Sequence, residues 1–127
     1  MTMKQVTILM FLALAALPAF AAQDGNGLLN GCKVSLDLTD KVPRTSLTTK
    51  DIMDAGYCAG VVHAVAGMAH TSGYLPDSHL DNTRQDIRVV EKYLYDNPES
   101  LSEPDYILVL KALLKAYPCG NKIAGCR

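Results

Sequence analysis

Four cysteines, Cys32, Cys58, Cys119 and Cys126, constrain this chain more than any other feature. Whether they serve as cross-links, metal ligands or nucleophiles depends on the compartment, because disulfides persist where the surroundings are oxidising. The N-terminus indicates which compartment that is. It reads MTMKQVTILMFLALAALPAFAAQ, with Lys4 ahead of an apolar run from Val6 to Phe20 and small residues at Ala19, Ala21 and Ala22. A basic start, an apolar middle and an A-x-A end form a secretory signal peptide. We place it at residues 1–21, with cleavage after Ala21 or Ala22. The apolar run is about 15 residues, short of the roughly 20 that span a bilayer. With no second long apolar run read after it, the mature chain is expected to be soluble and exported. An even number of cysteines in a small exported chain reads as two disulfides, for which sequence allows three connectivities.

Cleavage leaves residues 22–127, enough for a single domain with a thin core. The chain has no Trp, and its two phenylalanines, Phe11 and Phe20, leave with the leader. The core therefore rests on Leu, Val, Ile, Ala and Met. Two disulfides at ~2–4 kcal/mol each are a large share of such a domain's stability. The formal net charge is −1, with basic residues scattered rather than clustered. That excludes the electrostatic footprint of a nucleic-acid binder and a polybasic membrane patch.

Apolar spacing predicts helices and no alternating strand. A short helix covers roughly Gly25 to Val34, with Leu28, Leu29 and Cys32 on one face and two glycines weakening it. The segment DLTDKVPRTSLTT follows as the longest expected loop. Thr48 with Asp51 then resembles a capping box, opening a helix through His70 whose expected face is Ile52, Ala55, Ala59, Val62 and Ala66. Gly56, Gly60 and Gly67 lower its propensity; they mark either a central buried helix or an oligomer interface. A third helix starts near Asp81 or Asn82, with Gln85 as box partner. Its stripe is Ile87, Val90 and Leu94, with Tyr93 beside it and Arg84, Asp86, Arg88, Glu91 and Lys92 on the other face. Pro98 ends it. A fourth is expected from Ser102, with Pro104 in its first turn and Ile107, Leu110, Leu113, Leu114 and Tyr117 as its buried face. The fold class is all-α, a compact bundle of four to five helices stapled by two disulfides.

The chemistry-bearing residues are few. Cys58 and His63 could pair as nucleophile and base only with a free thiol, which an oxidising compartment disfavours. His63 and His70 share a helix face but lie about 10 Å apart along the axis, too far for one ion without other ligands. His79 falls in the following loop. Asp51 with Asp54, and Glu99 with Glu103, stand at helix starts, where capping and the helix dipole already employ them. No cofactor and no catalytic residue is expected; the chain reads as a binding protein and not an enzyme. Six tyrosines in a Phe-free mature chain suit protein contact.

Read together, GNGLLNGC near the mature start, YCAGVVHAVAGM on a helix, LPD in a loop, VVEKYLYDNPES and LVLKALLKAYPC resemble the Rap/Tai family of periplasmic type VI secretion immunity proteins. The resemblance covers nearly all of the mature chain and is most specific in its C-terminal half. It implies a small all-α periplasmic protein, often a homodimer. Such a protein binds a peptidoglycan amidase effector of the Tae type and blocks its active-site cleft, protecting the producer's cell wall. One departure matters. Many relatives carry a cysteine before the loop proline, whereas this chain reads GYLPD there and has Cys126 beyond the usual Pro-Cys end. Set against the family, this implies that Cys119 pairs locally with Cys126 and leaves Cys32 with Cys58.

A cleft inhibitor must present loops or exposed helix faces. The effector-binding candidates are Tyr74, Leu75 and Asp77 in the loop before the third helix, Arg84, Arg88, Glu91 and Lys92 on that helix, and Glu99 after it. The alternative is a periplasmic disulfide-bonded helical stress chaperone that takes many unfolded clients. A minor cell-wall or metal-handling enzyme is a more distant one.

Overall fold

Asp24 opens the first helix. Its Oδ1 accepts the Gly27 amide at 3.1 Å and its carbonyl accepts Leu28 at 3.1 Å, which supplies two of the donors a helix start leaves without partners. The computed structural model describes residues 24–40, 46–76, 82–119 and 126; the leader with its cleavage site, Asp77 and His79 lie outside them. Four α-helices follow in order, α1 (Gly25–Asp40), α2 (Thr49–Thr71), α3 (Thr83–Asp96) and α4 (Asp105–Ala116), with a 3-10 turn at Pro98–Ser100. Among the described residues the only β-type pairing is an isolated bridge between Asp24 and Pro104. The protein is an all-α bundle cross-linked by two disulfides, Cys32 to Cys58 and Cys119 to Cys126.

α1 runs six residues beyond the expected end, into the segment read as loop. Two contacts account for this. Leu36 packs against the core, and Asp40 at the helix end receives Arg84 and Arg88 from α3. The α1 glycines are not a weakness either. A Cβ on Gly31 would sit 2.4 Å from the Asp54 carbonyl oxygen of α2, and one on Gly25 would meet Leu108 and the Leu101 backbone at 2.6–2.9 Å. These glycines let α1 lie against its neighbours.

The capping box of α2 forms as expected. Asp51 N–H donates to Thr48 Oγ1 (3.2 Å) and Thr48 N–H to the Asp51 carboxylate (2.9 Å). Its buried face forms in part: Ala55 and Val62 point inward as expected, joined by Cys58, Val65 and Ala69, with Ala59 and Ala66 against the core edge, while Ile52 is 56% exposed. The helix is uniformly apolar, so periodicity alone leaves its rotation open. The bond from Cys58 to Cys32 fixes it, with both cysteines fully buried. Gly56, Gly60 and Gly67 consequently face open space. By length and composition α2 could cross a membrane, which the sequence reading overlooked; one third of its apolar window is buried in the bundle.

α3 begins at Asn82, whose Oδ1 accepts the Gln85 amide at 3.1 Å, and buries Ile87, Val90 and Leu94. Asp86, expected outside, is buried as well. α4 starts at Asp105 rather than Ser102. Pro104 disfavours helical geometry at Glu103, and it stands as the cap, its carbonyl receiving Ile107 (3.1 Å) and Leu108 (3.2 Å). Leu108, Val109, Ala112 and Leu113 face inward, while Leu114, expected in the core, is 38% exposed. α2 touches all three other helices. Leu28, Val62, Leu75, Val90, Leu94, Leu108 and Leu113 form the core with the Cys32–Cys58 bridge, each aliphatic side chain contributing ~1.5–3 kcal/mol.

Two tyrosines tie this core to buried carboxylates. The Tyr57 hydroxyl on α2 donates to Asp105, the first residue of α4. The Tyr117 hydroxyl donates to Asp86 on α3 at 3.3 Å. Burial and the neighbouring Asp86 carboxylate push the Tyr117 pKa up to about 12, so the phenol stays protonated as donor at any physiological pH.

Candidate functional site

The chain leaves α2 through a Schellman turn. Gly73 adopts φ 74°, the Gly73 amide donates to the His70 carbonyl (2.9 Å), and the Tyr74 amide donates to the Ala69 carbonyl (2.8 Å). Glycine suits the left-handed position there because it has no Cβ to clash. The next two residues part ways. Tyr74 projects outward and is 60% exposed, whereas Leu75 is 1% exposed and sits in the core. Leu75 is therefore not a surface anchor, contrary to expectation. It pins the turn from beneath, and of the two it is Tyr74 that is displayed.

On α3, Arg84 and Arg88, one turn apart, converge on Asp40 of α1, the latter at 3.4 Å. Both stay about half exposed, so the pairing orients them without hiding them. One turn on, Lys92 donates to Asp96 at 2.7 Å, and that hydrogen bond raises its pKa above the ordinary lysine value. Glu91 is half-buried. Tyr95, one of the six tyrosines suited to contact but not among the named candidates, is 71% exposed, the most exposed large apolar side chain among the described residues. It follows Glu91 by one turn, a spacing that could have flagged it. Glu99 is exposed on the 3-10 turn beyond the far end of α3, apart from the arginine pair.

Beside this face Val89, Tyr93, Ala112 and Ala116 line a groove of about 200 Å³ rimmed by Lys92, Asp96 and Lys115. The Lys115 ammonium lies 5.5 Å from the Tyr93 ring centroid, within cation–π range. A groove this small admits one side chain of a partner rather than a small-molecule substrate. All four cysteines are in disulfides, so Cys58 offers no thiolate. Among the described residues no three His, Cys, Asp or Glu side chains gather as a metal site. His63 instead meets Thr83 Oγ1 at 3.2 Å and links α2 to α3.

A displayed aromatic on a fixed turn and a charged helix face are equipment for contacting a protein. Residues 24–119 match the family described as Rap1a immunity proteins. The chain belongs to that family. The match runs from the Asp24 cap of α1 to Cys119 and takes in every described helix. Membership in the Rap1a family implies a cognate effector as partner. Comparison with curated proteins and with solved structures returned no match. Cys126 lies past the matched region, so the C-terminal disulfide joins the last matched residue to a segment outside the family's pattern.

Proposed function

We propose that this chain is a periplasmic type VI immunity protein that binds a peptidoglycan amidase effector and blocks its active-site cleft. Residues 1–21 act as the export signal and residues 22–127 as the inhibitor. The observation that carries the reading is Tyr74, exposed on a turn whose backbone is already fixed, within a chain of the Rap1a family. An aromatic held in place before binding loses little freedom on contact, as strong interface anchors do. Arg84, Arg88 and Lys92 on α3 then meet the rim of the cleft, where charge governs encounter and register. A second copy of the chain is the partner we assign to the open apolar face of α2, with Ile52, Met53 and Met68 exposed around its glycines.

The test is protection in cells. A strain lacking this gene, with the candidate amidase directed to its periplasm, should lyse and should be rescued by the full chain. A version lacking residues 1–21 should fail to rescue, and Tyr74→Ala should rescue poorly. Equal rescue with and without the leader would refute the periplasmic site of action, and no rescue by the full chain would refute the amidase as target.

A further inference from the structure

The C-terminal disulfide does not stand apart from Tyr74. Cys119 Sγ lies 3.2 Å and Cys126 Sγ 3.3 Å from the Tyr74 carbonyl oxygen. With the sulfurs bonded to each other neither carries a hydrogen, so these are packing contacts. The Cys126 amide donates to the Gly73 carbonyl at 3.0 Å. The peptide units of Gly73 and Tyr74 are thus engaged from two directions. α2 holds their amides through His70 and Ala69, and the cystine and its backbone meet their carbonyls. Cys119 follows Tyr117 by two residues, and Tyr117 is bonded to Asp86 of α3. The turn that ends α2 is therefore tied to the segment that follows α4, and two residues before Cys119 that segment is tied in turn to α3.

Global stability rests more on the core pair than on this bridge. Closing a seven-residue separation removes ~2 kcal/mol of unfolded-chain entropy, against ~3–4 kcal/mol for the 26-residue separation of the core pair. We infer that Cys119 and Cys126 are positioning residues for Tyr74, a clamp that holds this aromatic ready for the effector. The clamp rests on the reading that Tyr74 contacts the effector. Removing it frees the turn before binding, and the ordering must then be met when the complex forms.

Two variants test the clamp, Cys119→Ser with Cys126→Ser, and a chain ending at Pro118. Hydrogen exchange on the mature protein reads it without any effector. In both variants the Gly73 and Tyr74 amides should gain in exchange rate by a larger factor than the centres of α1 to α4, which share only the global loss of stability. A gain at these two amides no larger than at the helix centres overturns the clamp, whether or not the amidase reading holds. Affinity for the purified amidase effector supplies the second arm. The double serine variant should lose about 5–30-fold, and adding Tyr74→Ala should weaken it little further, because both act through one side chain. Fully additive losses would show that the disulfide acts elsewhere and would overturn the inference. If the unaltered chain fails to bind while exchange responds as stated, the amidase reading falls and the clamp stands.

Discussion

Asp86 and Asp105 carry the least expected work done by single residues. A charged residue in an amphipathic helix reads as solvent-facing, and nothing local to Asp86 says otherwise. Its partner Tyr117 is 31 residues away, at the C-terminal cap of α4. Hydrogen bonds to charged groups contribute ~1.5–3 kcal/mol, so Tyr117→Phe and Tyr57→Phe should each lower unfolding free energy by about that amount, measured by urea denaturation. Asp24 and Asp51 offer a pH test. Hydrogen bonds from Gly27 to Asp24, and from Thr48 to Asp51, hold both below the ordinary aspartate pKa of 3.8. A carboxyl lowered in the folded state stabilises fully above its unfolded pKa and loses that contribution as pH falls through its folded pKa. The melting temperature should therefore decline below about pH 4, and Asp51→Asn should flatten part of that decline. Leu75 belongs at this scale too. A lone leucine between Tyr74 and Pro76 carries no periodicity, so its burial was not legible in the sequence.

At the scale of the element, the side-chain caps of α2 and α3 and the buried stripe of α3 were legible, whereas the start of α4 and the full faces of α2 and α4 were not. Thr48 with Asp51, and Asn82 with Gln85, are contacts within three residues; the first formed as a full capping box, the second as the Asn82 cap accepting the Gln85 amide. The faces of α2 and α4 were read only in part, because apolar residues surround each axis and the exact rotation is left to distant partners, Cys32 for α2 and the α2 and α3 side chains for α4. The glycines sharpen the distinction. Gly31 meets the α2 backbone, whereas Gly60 meets nothing within 4 Å. Gly31→Ala should destabilise by ~2–3 kcal/mol through overpacking. Gly60→Ala should stabilise the monomer by up to about 1 kcal/mol from helix propensity alone. If a second copy packs on α2, the same substitution should weaken self-association in sedimentation equilibrium. These opposite signs separate a glycine needed for approach inside the fold from one left on its surface.

The whole molecule is a small bundle whose inner disulfide sits in the core and whose outer one sits at the displayed tyrosine. Replacing Cys32 and Cys58 by serine should cost about 3–4 kcal/mol or more in urea, with the unfolding midpoint falling well below that of the Cys119→Ser, Cys126→Ser variant. On the proposed function, such a molecule acts through the surface it presents. The most direct measurement is a titration of the mature chain into the purified amidase effector while peptidoglycan cleavage is followed. Cleavage should fall in proportion to added protein and cease at one chain per effector, with calorimetry reporting the same endpoint. Undiminished cleavage at saturating chain would contradict the account, as would turnover of wall fragments by the chain on its own.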